Sequence, residues 1–524
     1  MNDILIKNGM VIDGKKTPMF KADISIKNGK IASIKAGLRG QAATVIDAAG
    51  LYVAPGFIDI TNHSDTHWTI FSVPSQESLL RQGITTILGG VCGSSLAPLV
   101  ASEHIASIQK WTDTKSVNVN WLTLGEFFKE LRRHSLGVNF AALVGHGTLR
   151  RDILGDSVRP PDRDELGRMK FLLAGALRDG ARGISFGLAF SHGRPAGDEE
   201  LTQLSQVAAD AHAFVSLHLR DEGKGLLPSL TEAIRIVRSS GVSLEIAHLK
   251  ALGREAWGDF PKALQLIRRA REEGLAIDID VFPYTKTGSL LYALLPPWAR
   301  DGGKKRILER LGDLQQRRLL LDHLQRATLH YDHIIIASAA REKSIVGKSL
   351  AAIASRMGID PTEVLIEILI NNELGVTIFG ETIQESDMIT LMKEPYAMIS
   401  SDGYGLDGES ALSGDIAHPR SFGATARFLG TYVREQEIVS WEEAISKLSG
   451  APAEKIGLTD RGILEARAAA DLVVFDPATI RDNATFENPF QYPSGIAWVL
   501  VNGEIAVEKG TYTGKQPGRI LEKE

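Results

Sequence analysis

Residues 54–65 read APGFIDITNHSD, residues 75–83 SQESLLRQG and residues 84–99 ITTILGGVCGSSLAPL. The first and third are apolar, strand-like runs, and the second is helix-like. Each strand-like run ends in a residue able to hold a metal: His63 in the first, Cys92 in the second, the only cysteine in 524 residues. Side chains alternate faces along a strand, so Asp59, Thr61 and His63 share one side. Taken singly, Cys92 reads as a small buried hydrophobe and His63 as a hydrogen-bonding residue. A ligand type at a strand's C-terminal end, followed by a loop and helix, is however the pattern at the top of a βα barrel.

Outward from this stretch the rhythm continues as strand, loop, helix at about 30 residues per unit, the signature of parallel βαβ units. It predicts strands near 57–63, 84–91, 138–145, 182–187, 213–219, 242–249, 276–282 and 396–402. Helices fall between them, among them one opened by the capping-box pair Thr123 and Glu126, TEAIRIVRSS at 231–240 and KALQLIRRAREEG at 262–274. Eight such alternations make a (β/α)8, TIM-like barrel of the α/β class. Before residue 54 and after 470 the texture is short β-structure broken by NG, DG and AG turn signals. Neither end is long enough for a core of its own, so both are expected to build one small β-sandwich domain. The expected division is 1–56 and 456–524 for that domain and 57–455 for the barrel. An insertion at about 285–342 lies within the interval between strands seven and eight, placed as a lid or pocket wall.

Composition narrows the function. Hydrophobic residues at 44% and charged residues at 23% are ordinary for a globular protein. A net charge of −5 over this length argues against nucleic acid or an anionic membrane as partner. No apolar run reaches the roughly 18 residues of a membrane span, and the first residues lack the basic and apolar regions of a signal peptide. A single cysteine excludes an internal disulfide and suits a reducing cytoplasm.

Strand five reads FVSLHLRDE (214–222) and strand six VSLEIAHLK (242–250). Phe214, Ser216, His218 and Arg220 share one face, and Val242, Leu244, Ile246, His248 and Lys250 share another. With those faces inward, His218 and His248 emerge side by side at the barrel mouth. Strand eight ends AMISSDG, which brings Asp402 to the same rim. A thiolate and two imidazoles are three zinc ligands that leave one position for water. Zinc lowers the pKa of that water to about 7, and a nearby carboxylate can take its proton. The residue types assemble into metal-assisted hydrolysis.

The chain resembles the amidohydrolase superfamily, and within it the N-acyl-D-amino-acid deacylases (D-aminoacylase family). The resemblance runs almost end to end, through KNGMVIDG, APGFID, CGSSLAPL, ALVGHGTLR, HLRDEG, AHLKALG, FPYT, LLPPWA, SDG, HPRSFG, DRGILEARAAADLVVFDP and VLVNGEIAVEKG. It implies that Cys92, His218 and His248 hold the zinc, and that Asp402 is the general base that later protonates the leaving amine. It further implies that Lys250, Tyr284 and Arg420 bind the carboxylate of an N-acyl-D-amino acid, whose amide is cut by a metal-bound water. Pairing with carboxylates such as Glu222 is the alternative for both cations.

The departure from the family pattern is in the first strand, where His-x-His is replaced by Thr61, Asn62 and His63. Threonine is a poor zinc ligand, so one zinc per chain is expected, with His63 a weak or second-site ligand or a donor to the substrate carbonyl. His67 reads as a solvated loop histidine. His146 ends strand three and is expected at the mouth, as substrate contact or as a support bonded to backbone. Phe190, His192 and the insertion are expected to line the pocket, while His104, His134, His212, His323, His330 and His333 carry no assigned function. A cyclic-amide hydrolase of the hydantoinase or dihydroorotase kind is the enzyme alternative, although strand four, ARGISFGLAF, lacks the bridging lysine those enzymes use. A barrel that lost its metal is the non-catalytic one.

Overall fold

Strands from both ends of the chain meet in one nine-stranded sheet. The computed structural model describes residues 2–102, 105, 119–326 and 329–523, so His104 lies outside the described residues. The sheet runs Thr511–Tyr512, Glu504–Glu508, Ile496–Val501, Leu472–Phe475, Tyr52–Pro55, Asn2–Val11, Phe20–Lys27, Lys30–Lys35, with Ala42–Asp47 parallel to Asn2–Val11. Two of its hairpins turn on the NG steps. Asn28 and Gly29 have φ of 52° and 73°, and Asn502 and Gly503 have 51° and 80°. That positive pair is what a two-residue hairpin turn with the strands' own twist requires. Ile4, Ile24, Leu472 and Leu500 are buried in the core shared by the two ends.

The middle is α/β with parallel strands. All eight expected strands are present, mostly shorter than the apolar runs suggest: Phe57–Asp59, Ile84–Gly89, Asn139–Ala142, Gly183–Gly187, Phe214–His218, Ser243–Ile246, Ile277–Val281 and Ala397–Ile399. The first three pair in parallel. Val144–Gly145, just past Asn139–Ala142, begins a second parallel sheet running through Gly183–Gly187, Phe214–His218, Ser243–Ile246 and Ile277–Val281 to Ala397–Ile399. A parallel bridge between Asn62 and Gly403 joins its far end to the first strand. Helices cover the outside. The Thr123–Glu126 capping box forms and starts Leu124–Leu131, whose Leu124, Phe127, Phe128 and Leu131 are buried. No helix of the described residues is long and apolar enough to cross a membrane.

Two expectations are corrected here. Leu244 and Ile246 do not face inward: they stand in register with Val215 and Leu217 and pack in the core beneath the helices. Glu245 takes the inner face in their place, beside Ser216 and Asp280. The insertion also extends beyond residue 342. Lys286–Leu290, Val376–Glu381 and Ile335–Ala339 form a three-stranded antiparallel sheet in that order. Its separate apolar core reaches from Leu291 to Ile378.

Candidate metal centre and active site

His218 is the last residue of its strand, and Cys92, His248 and Asp402 sit just past strand ends, where the backbone turns sharply. Cys92, His248 and Asp402 have φ of 53°, 39° and 48°, left-handed values that non-glycine residues rarely adopt and that cluster at functional sites. This explains how His248 regains the mouth although Leu244 and Ile246 face out. The strand stops at Ile246, Ala247 N–H donates to Leu217 O at 3.0 Å, and the left-handed residue redirects the side chain. The turn before Cys92 is held by Asp65, which accepts from Gly90 N–H at 2.6 Å, and by Ser185 Oγ, which accepts from Gly93 N–H at 2.9 Å. Gly187 must lack a side chain, because a Cβ there would lie 2.1 Å from Cys92 O.

Cys92, His218 and His248 converge, with one ligand atom from each within 4.8 Å of the others. Cys92 Sγ is 3.3 Å from His248 Nε2, and the two imidazoles meet edge to face at 4.5 Å. Zinc–sulfur and zinc–nitrogen bonds of about 2.3 and 2.0–2.1 Å place tetrahedral donors about 3.4–3.6 Å apart, so the cluster is of the right size. His218 Nδ1 is buried with no hydrogen-bond partner, a lone pair left for an ion. Burial opposes ionisation of Cys92, but His248, His218 and His63 hold the thiol well below its usual range. The donors fit zinc.

His63, beside the Cys92 thiol, also reaches Asp402, with Nε2 at 3.1 Å from Oδ1. Burial opposes its protonation, but the Asp402 and Cys92 groups prevail and raise its pKa to about 9. Burial likewise opposes ionisation of Asp402, yet Arg420, His248 and His63 hold it well below the usual carboxylate range. Arg420 Nη1 lies 2.6 Å from Asp402 Oδ2. That approach lacks hydrogen-bonding angles, and both Nη1 and Nε of Arg420 are buried without a hydrogen-bond partner. Thr61, in the place of the missing histidine, donates its hydroxyl to Asp280 Oδ2 at 2.9 Å; the same oxygen accepts His248 N–H at 3.0 Å.

Other expected site residues stand differently. His146 is not at the mouth. It opens the helix His146–Leu154, is fully buried, and bonds Glu200 Oε1 through Nε2 at 2.8 Å, with Arg150 on the same carboxylate. Tyr284 spends its hydroxyl on Asp482 Oδ2 at 2.8 Å, and its ring packs on His418. Lys250 Nζ sits 2.7 Å from Glu222 Oε1, the pairing foreseen as its alternative. His67 is packed rather than solvated, stacked on Tyr404 at 3.8 Å. Sequence reasoning missed His418, whose Nδ1 accepts Arg420 N–H at 3.1 Å and whose Nε2 donates to Lys286 O at 2.9 Å. It thereby ties Arg420 to the insertion. Phe190 and His192 do line a pocket, together with Cys92, Gly147, Thr148 and Arg151.

Donors of this kind at the ends of parallel strands suit a metal-dependent hydrolase, and comparison with known proteins narrows the class. A model of the amidohydrolase family matches residues 408–507. The N-acyl-D-glutamate deacylase of Alcaligenes xylosoxydans xylosoxydans is 32% identical over 522 residues, covering 100% of this chain and 97% of that one. Among solved structures, the N-acyl-D-glutamate deacylase of Bordetella bronchiseptica, complexed with zinc and a phosphonate mimic of the tetrahedral intermediate, matches with TM-score 0.84 and 31% identity over 99% of both chains. A D-aminoacylase, studied for the role of its binuclear metal centre in one-metal activation and second-metal attenuation, matches with TM-score 0.84 and 30% identity over 100% of both. This chain belongs to the D-aminoacylase (N-acyl-D-amino-acid deacylase) family of amidohydrolases.

Proposed function

We propose that this protein hydrolyses the amide bond of N-acyl-D-amino acids in a zinc-dependent reaction, releasing a carboxylic acid and a D-amino acid. The observation that carries the reading is the convergence of the Cys92, His218 and His248 donors within 4.8 Å at one end of the parallel strands. The relatives named above act on the same class of substrate. In this reading the parallel strands close as a (β/α)8 barrel over about 57–455, and the termini form the small β-sandwich domain. A cytoplasmic setting suits a lone thiol used as a metal ligand.

Cys92, His218 and His248 would hold one zinc, because Thr61 removes a histidine that a second position would use. Zinc bound there supplies Lewis acidity, which polarises a carbonyl and acidifies water. Asp402 accepts the proton of the attacking water at its carboxylate and returns it to the departing amine nitrogen. His63, bonded to Asp402 through Nε2, fixes that carboxylate and offers a donor toward the carbonyl oxygen. Arg420 offers the substrate carboxylate its guanidinium, whose Nη1 stands 2.6 Å from Asp402 Oδ2, so the carboxylate is received beside the base. Lys250 stands by as a second cation. Tyr284, bonded to Asp482, acts on the carboxylate by supporting His418 and hence Arg420.

Asp402→Asn tests this assignment. It keeps the shape and removes the proton acceptor, so hydrolysis should fall by about 10²–10⁴-fold while bound zinc is retained. Activity within a few-fold of wild type would assign the base elsewhere.

A further inference from the structure

Glu222 has no place in the reaction as described, yet it stands beside both histidines of the metal cluster and against Lys250. It lies four residues after His218 and is 6% exposed. Its Oε1 is 2.7 Å from Lys250 Nζ and 3.3 Å from His248 Nδ1, and its Oε2 is 3.8 Å from His218 Nε2. Its own backbone carbonyl accepts Leu252 N–H at 2.8 Å, so the loops that follow the two histidine strands are stitched together at this residue.

The proton positions follow from the geometry. His248 presents Nε2 to Cys92, at 3.3 Å, which leaves Nδ1 to carry the ring proton when Nε2 is a ligand. Nδ1 then has two polar neighbours, Lys250 Nζ at 3.0 Å and Glu222 Oε1 at 3.3 Å. An ammonium has only donors, so Glu222 is the neighbour that can accept. His218 presents the partnerless Nδ1 to the cluster and turns Nε2 toward the other Glu222 oxygen. A carboxylate accepting from His248 Nδ1 fixes that ring's tautomer and orientation and makes it a better ligand; at 3.8 Å from His218 Nε2 its other oxygen acts on the second ring by charge alone. The same carboxylate holds Lys250, which also donates to His248 O at 3.0 Å.

We propose that Glu222 is the positioning residue of the metal centre: one buried carboxylate orients the His248 imidazole, sets its negative charge beside His218 and anchors the Lys250 ammonium, linking metal affinity to the cation offered to the substrate carboxylate. The inference rests on the zinc reading above. Its test is zinc affinity of the full chain, measured by competition with a chromophoric chelator, with the visible spectrum of the cobalt-substituted protein as a report on ligand geometry. Glu222→Gln should bind zinc about 10–100-fold more weakly and shift the cobalt bands. Glu222→Asp, which keeps the charge one methylene further back, should recover part of the affinity. Lys250→Met leaves the carboxylate in place and should bind zinc at least as well as wild type. Thermal unfolding of each metal-free variant separates metal loss from misfolding, and if Glu222→Gln fails to fold, the Asp and Met variants decide. Zinc affinity of Glu222→Gln within about threefold of wild type, or a loss in Lys250→Met equal to that in the Glu222 variants, would overturn the inference. A wild-type protein that binds no zinc would overturn the underlying reading instead.

Discussion

In the proposed reaction Arg420 is the residue on which substrate choice turns, and Arg420→Ala gives the most informative perturbation. Its guanidinium is 10% exposed and packs over the Phe282 ring at 4.9 Å, and its backbone N–H is held by His418. The planar fork suits two carboxylate oxygens in a way an ammonium cannot reproduce. A hydrogen bond to a charged group contributes about 1.5–3 kcal/mol. At about 1.36 kcal/mol per tenfold, Arg420→Ala should lower kcat/KM by about 10–150-fold on an N-acyl-D-amino acid. The matching amide without a carboxylate should lose far less. Removal of the cation also ends its depression of the Asp402 pKa, so the base grows no weaker for the uncharged substrate. Both substrates should be assayed on zinc-loaded enzyme, with metal content and unfolding measured alongside, because misfolding or metal loss depresses both alike. An equal fall on the two substrates would show that Arg420 is structural, and the account of carboxylate recognition would fail.

Two further outcomes are expected. Cys92→Ala should lose most of the bound zinc, because the thiolate is the softest ligand present; undiminished zinc by metal analysis would remove Cys92 from the ligand set. Glu200→Gln should destabilise the protein by about 3–5 kcal/mol at neutral pH, since it leaves the buried Arg150 charge without its partner. Burial opposes ionisation of Glu200, but His146 and Arg150 lower its pKa. Its stabilisation is therefore complete above the unfolded value near 4.5 and is lost as pH falls through the lower folded value. Denaturant unfolding should show a shallower acid limb in Glu200→Gln than in wild type, and an unchanged limb would contradict this.

The residues of the candidate site are legible because they stand at or near the ends of strands whose apolar patterns are plain. Cys92, His218 and Asp402 each follow a short run of strand formers, and that alone placed them at one rim. His248 joins the cluster by a route that strand alternation does not predict. Alternation from Leu244 and Ile246 points it inward only if those residues do, and the left-handed turn that redirects it leaves no mark in the side-chain pattern. His146 misled because its strand ends at Gly145 and the helix starts at the histidine itself, which turns the ring between elements toward Glu200. Tyr284 and Asp482 are 198 residues apart, and nothing local announces their hydrogen bond. Glu222 carries a faint signal, its spacing of four from His218, which reads equally as an ordinary polar loop residue. The insertion was cut short because its third strand in the chain, Val376–Glu381, returns only after two intervening helices.

The most direct test of the central claim is the release of free amino acid from a panel of N-acyl-D- and N-acyl-L-amino acids. Protein freed of metal with a chelator, and the same protein reconstituted with zinc, should be run in parallel with metal content determined. Hydrolysis of N-acyl-D-amino acids that is absent without metal and restored at about one zinc per chain is the predicted result. Hydrolysis indifferent to zinc, or no hydrolysis of any N-acyl-D-amino acid by the zinc-loaded protein, would contradict the account.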